Sequence, residues 1–91
     1  MLLINMQILL DMPYVQSLKG RRKIIHSLKD RLKSHNLSIL DLSSEYAKEG
    51  ELAVAFLSLN QKEVAKKIDT IETILDKFIS EIEYEINYEV L

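Results

Sequence analysis

Three features of this sequence predict an α+β fold with the element order β-α-β-β-α-β. Two segments, residues 17–35 and 60–80, repeat apolar side chains at the three- and four-residue spacing of amphipathic helices. Four others, Leu2 to Asp11, Leu37 to Ser43, Leu52 to Leu59 and Glu81 to Val90, have strand length and strand-like apolar patterning. Right-handed crossovers then place both helices on one face of a four-stranded antiparallel sheet. This is the ferredoxin-like sandwich, expected here as a single domain over residues 1–91 with strand order 4-1-3-2.

Leu2 to Asp11 sets Ile4, Met6, Ile8 and Leu10 against Leu3, Asn5, Gln7 and Leu9, one side apolar and the other mixed, as in a central strand. Pro13 ends it, having no amide to donate to a neighbour. The helix that follows, capped by Ser17, gathers Leu18, Ile25, Leu28 and Leu32 on one arc with Ile24 at its margin. Arg21 projects into that arc and is expected to snorkel, stem packed and head in water. Gly20 costs the helix roughly 1 kcal/mol against alanine. Asn36 suits the left-handed conformation that ends helices.

Leu37 to Ser43 reads as a short strand with Leu37 and Ile39 inward, and Asp41 suggests an edge or a bulge. Residues 45–51 are polar and contain Gly50, the expected hairpin turn. In the next strand Leu52, Val54 and Phe56 face one way and Ala53, Ala55 and Leu57 the other, so it should be central. Asn60 and Glu63 form a capping-box pattern, and the second helix runs to about Ser80 on a stripe of Val64, Ile68, Ile71, Leu75 and Phe78. The last strand alternates Ile82, Tyr84, Ile86, Tyr88 and Val90 with Glu81, Glu83, Glu85, Asn87 and Glu89. The expected core is Ile4, Met6, Ile8, Ile25, Leu28, Leu32, Val54, Phe56, Ile68, Ile71, Leu75, Phe78, Ile82 and Ile86.

At 91 residues, 47% hydrophobic and 29% charged, the chain has a globular composition. A domain of this length buries only about 60–65% of its unfolded surface, so self-association is a natural expectation. Absence of cysteine excludes disulfides, thiolate metal sites and cysteine nucleophiles. Met1 to Met12 is too short to span a bilayer and lacks the basic region and cleavage site of a secretory signal, pointing to a cytoplasmic protein with no membrane partner.

The net charge of −2 conceals a segregation. Segment 17–35 sets seven basic side chains against Asp30, a balance of +6, whereas Glu81, Glu83, Glu85 and Glu89 give the last strand −4. One face can therefore carry a cationic field that the total charge hides. Lys19, Arg22, Lys23, His26, Lys29 and Lys33 fall on the outward arc of the first helix and form the candidate nucleic-acid-binding surface. The plainer reading is a solvated helix face neutralised by the protein's own acids or by a dimer mate.

Ser17-Leu18-Lys19, Arg22 and the run Ser27-Leu28-Lys29-Asp30-Arg31-Leu32 resemble the signature of the YlxP-like family of small bacterial proteins, and Glu51-Leu52-Ala53-Val54-Ala55 with Ser58 is similar to that family's third strand. The resemblance implies a ferredoxin-like fold and, from the family's usual gene setting beside translation and ribosome-maturation factors, an association with RNA or a ribosomal subunit. Gly20 stands where the family usually has an acid, and residues 43–50 lack the family's tryptophan, with Tyr46 the nearest substitute.

Other constellations favour plainer readings. Base stacking on the sheet needs aromatics on its open face, where Asn5, Gln7, Ala53, Ala55 and Leu57 are expected instead. That face, with Leu9, Leu40, Ala53, Ala55 and Leu57, is the candidate self-association surface of a homodimer. The glutamates of the last strand lie about 6.5–7 Å apart along one face, too far to share a cation unaided, and protect an edge strand. His26 and His35 fall on opposite helix faces, so no metal or other cofactor is expected. The loop from Asp11 to Gln16, where acylphosphatase-like enzymes of this fold hold phosphate, lacks glycine and carries an acid. The sequence is accordingly that of a non-enzymatic protein.

Overall fold

The computed structural model describes residues 1–91, in the order β1 (Leu2–Asp11), α1 (Leu18–Lys33), β2 (Ser38–Asp41), β3 (Glu49–Ser58), α2 (Gln61–Asp76) and β4 (Glu83–Val90). All pairings are antiparallel and the sheet order is β2-β3-β1-β4, the expected order read from the other edge. The two strands that are apolar or mixed on both faces, β1 and β3, occupy the centre. They pair along their whole lengths, from Leu2 opposite Ser58 to Asp11 opposite Glu49.

Strand alternation sends Ile4, Met6, Ile8 and Leu10 of β1 and Leu52, Val54 and Phe56 of β3 to one side, where all are buried. The helices close that side with Ile25, Leu28 and Leu32 from α1 and Val64, Ile71, Ile74 and Leu75 from α2. The core contains 18 buried hydrophobic residues and no buried polar or charged one. Ile68, Phe78 and Ile86 pack at its margin, half-buried, while Ile74 takes a full place in it. Leu18, on the apolar arc of α1, is 41% exposed.

Gly50 departs from expectation. It lies inside β3 opposite Leu10, and it is buried. A Cβ there would sit 3.0 Å from Met12 Cε and 3.1 Å from Ile25 Cδ1, so the residue is small to admit its neighbours rather than to turn the chain. The turn is made earlier by polar side chains: Ser43 N–H donates to Asp41 Oδ1 at 2.9 Å, Tyr46 N–H to Ser44 Oγ at 3.2 Å, and Glu51 N–H to Ser43 Oγ at 3.1 Å.

Helix α2 also stops short of Ser80. Beyond its C-cap Lys77 the backbone tightens to three-residue turns, with Phe78 N–H donating to Leu75 O and Ile79 N–H to Asp76 O. This overwound stretch drops Ile82 into the core, 2% exposed, and β4 begins at Glu83 opposite Asp11. The capping box is half made: Glu63 N–H donates to Asn60 Oδ1 at 3.0 Å, while the Glu63 carboxylate accepts from Lys66 at 3.4 Å. Asn36 adopts φ 60°, the left-handed conformation expected after α1.

Candidate nucleic-acid interface and the opposite sheet face

Ser17 starts α1 by accepting from Gly20 N–H at 3.0 Å. Burying Ile25, Leu28 and Leu32 turns the opposite arc outward, and Lys19, Arg22, Lys23, His26 and Lys33 are exposed there, with Lys29 half-exposed. His26 Nε2 pairs with Asp30 at 3.3 Å. Lys19, Arg22, Lys23, Lys29 and Lys33 form no ion pair, since the other pair of the molecule is Lys66 with Glu63. The first turn of α1 holds no acid, so the partial positive charge of the helix start adds to these side chains.

Two further cations of α1 are occupied by the fold. Arg21 Nη1 donates to Tyr46 O at 2.8 Å and to Glu49 O at 3.0 Å, fastening the 42–48 loop to the helix. Its head is thus bound to carbonyls, where a free, hydrated head was expected. The Arg31 guanidinium lies 5.1 Å from the centroid of Phe78, joining α1 to the turn after α2. Lys48 Nζ plays a similar part for the loop after β1, donating to Pro13 O at 2.7 Å and Val15 O at 3.1 Å. Lys67 Nζ caps the end of α1 through His35 O at 2.7 Å.

The opposite face of the sheet has a different chemistry. Its register assembles Leu57 beside Leu3, Ser38–Ala55–Asn5–Glu89, Leu40–Ala53–Gln7–Asn87, Glu51–Leu9–Glu85, and Glu49–Asp11–Glu83. One end is therefore apolar, with Leu3 43%, Leu40 61% and Leu57 60% exposed, and the other end is acidic. Six carboxylates, Asp11, Glu49, Glu51, Glu83, Glu85 and Glu89, share this face with no lysine, arginine or aromatic residue. Gln7 Nε2 reaches Glu51 at 3.2 Å and Asn5 Nδ2 reaches Glu89 at 3.4 Å. Leu9 and Leu42 line a groove of about 580 Å³ at the acidic end. No three of the carboxylates and imidazoles are grouped to hold a metal ion.

Of the glutamate row expected on the last strand, Glu83, Glu85 and Glu89 lie on β4 while Glu81 falls in the turn before it, and Asp11, Glu49 and Glu51 join them only through the strand register. Of the candidate self-association residues, Leu40 and Leu57 are exposed, and Leu9, Ala53 and Ala55 are half-exposed on the same face. Tyr84 and Tyr88 lie on the helix side of β4, as their parity with Ile82 and Ile86 required. Tyr84 Oη donates to Asp76 Oδ1 at 2.6 Å. That bond to a carboxylate, with partial burial, pushes the phenol up to about 12. No helix is long and apolar enough to cross a membrane.

The chain is thus a ferredoxin-like α+β protein with a cationic helix on one side and an acidic, partly apolar sheet face on the other. It belongs to a family described as protein of unknown function (DUF503), whose profile matches residues 3–88. Among curated proteins there is no significant match. Among solved structures it is similar to the de novo designed protein Foldit4, at 16% identity and TM-score 0.61 over 96% of each chain. It is also similar to the designed ferredoxin-fold protein LFR1 1, at 14% identity and TM-score 0.62, covering 99% of this chain and 85% of that one. A dimeric ferredoxin-like protein from an uncultured marine organism matches at 14% identity and TM-score 0.55, over 100% of this chain and 94% of that one. At such identities the likeness is one of fold.

Proposed function

We propose that this protein binds structured RNA, free or within a ribosomal subunit, through the outward face of α1, and that it performs no chemistry of its own. The observation that carries the reading is the set of five cations, Lys19, Arg22, Lys23, Lys29 and Lys33, left without a carboxylate partner although the chain has more acids than bases. From Lys19 to Lys33 they follow about 21 Å of helix at 1.5 Å per residue, long enough to meet several consecutive phosphates. The resemblance to YlxP-like proteins points the same way.

Engagement of about four to five phosphates gives a log–log salt dependence with a slope near −4. Co-sedimentation with ribosomal subunits and binding of a structured RNA across a salt series should show that slope for the natural protein. Arg22→Glu/Lys29→Glu should remain folded by circular dichroism and lose binding. RNA and subunit binding undiminished in this variant would exclude α1 as the contact.

A second reading, self-association through the open sheet face, is favoured by the exposure of Leu3, Leu40 and Leu57 there. The marine protein of similar fold is described as dimeric, which supports the reading. Where two such faces meet, Ala55→Glu should abolish association, and a natural protein that sediments as a monomer at high micromolar concentration would dispose of self-association.

A further inference from the structure

We infer that what covers the open sheet face is helix α1 of a second copy, so that the protein associates head to tail. This rests on the self-association reading and replaces its symmetric form with a definite partner element.

Charge excludes the symmetric arrangement first. Two sheet faces brought together would enclose the six carboxylates of each copy, Asp11, Glu49, Glu51, Glu83, Glu85 and Glu89, with no lysine or arginine from either face to balance them. Like charges set against one another across an interface are a strong determinant against pairing. The complementary charge is present on the same molecule but out of reach. α1 packs on the core side of the sheet and turns its five unpaired cations away from it, so the sheet and the core separate the two sets within one copy. Only a second copy can bring them together.

The dimensions agree. On β4 Glu83, Glu85 and Glu89 span about 20 Å at 3.4 Å per residue, with Asn87 between the last two, while Asp11, Glu49 and Glu51 concentrate the charge at the Glu83 end. On α1 the cations run from Lys19 to Lys33, about 21 Å at 1.5 Å per residue. The helix, 16 residues and about 24 Å long, fits within the length of β1, 10 residues and about 33 Å. A sheet takes helices on either face, and here one face is covered while the other holds a groove lined by Leu9 and Leu42 between acids. Because the outward arc of α1 is polar, the contact is mainly electrostatic, and association should fall steeply with salt. Because the two surfaces differ, each added copy leaves one of each free, and the assembly grows rather than closing at two.

Sedimentation velocity over a concentration and salt series tests this with two variants. At low salt the natural protein should form species larger than a dimer that revert to monomer as salt is raised. Arg22→Glu/Lys29→Glu and Glu51→Lys/Glu85→Lys should each be monomeric, and an equimolar mixture should regain association, since the sheet of the first complements the helix of the second. A natural protein that is monomeric at low salt overturns both this inference and the self-association reading. Association that persists in Arg22→Glu/Lys29→Glu, or a mixture of monomeric variants that stays monomeric, overturns the head-to-tail contact alone and leaves the sheet face to another partner.

Discussion

Helices α1 and α2 are matched in length, in N-terminal capping and in the sheet face they cover. Each has 16 residues, each is capped by a side-chain oxygen that accepts at 3.0 Å, and each buries an aliphatic stripe on the same sheet face. Their outward faces differ. α2 exposes Lys62 and Lys66 among Glu63, Asp69, Glu72 and Asp76, while α1 exposes cations against the single acid Asp30. The inward faces are alike because one core imposes the same requirement on both. Apart from Arg21 and Arg31, which hold a loop and Phe78, the lysines and arginines of α1 make no hydrogen bond or ion pair within the fold, and it is this surplus that the proposed function attributes to a partner.

Three measurements can break or sharpen that comparison. If the inward faces are equivalent, Leu28→Ala in α1 and Leu75→Ala in α2, both 0% exposed, should each cost about 2–5 kcal/mol in urea unfolding. A Leu28→Ala cost under half that of Leu75→Ala would show that α1 is the less anchored helix. Next, adjacent arginines should separate structure from surface: Arg21→Ala, which releases Tyr46 O and Glu49 O, should cost about 1–3 kcal/mol, against less than about 0.5 kcal/mol for Arg22→Ala. Equal costs would remove the distinction between an occupied and a free cation. The smallest effect concerns glycine. A Cβ on Gly20 would meet Ser17 Oγ at 3.4 Å and Val15 Cγ1 at 3.7 Å, ordinary contacts, so Gly20→Ala should stabilise by roughly 0.5–1 kcal/mol. Gly50→Ala, crowded at 3.0 Å and 3.1 Å, should destabilise instead, and the opposite signs in thermal unfolding are the check.

The elements that sequence reasoning recovered are those in which local chemistry and long-range packing agree. Alternation in β1 and β3, the three- and four-residue spacing in both helices and the cap residues Ser17 and Asn60 each report a preference that the fold uses unchanged. Glycine favours turns, so local pattern assigns Gly50 to one, whereas its smallness answers to Met12 and Ile25, remote in sequence. The apolar period of α2 runs on through Phe78, yet the backbone leaves the helix after Asp76 because burying Ile82 decides the path. The cationic arc was legible since it lies on one helix. The acidic face was only partly so, because Asp11, Glu49 and Glu51 come beside Glu83 and Glu85 through strand register, which no local pattern encodes.

The central position of β1 also bears on how the chain reaches its fold. Of the four strands of the sheet it is made first, yet its ladder with β3 joins Leu2 to Ser58 and its ladder with β4 joins Ile4 to Val90. Until those residues exist, both hydrogen-bonding edges of the most apolar strand have no native partner, and a strand in that state is a template for mispairing. Closing such distant contacts raises the contact order and slows folding relative to a helical protein of this size. During translation β1 must therefore wait until β3 and β4 have been made, and the interval in which it is most exposed to wrong partners is set by synthesis rather than by its own stability.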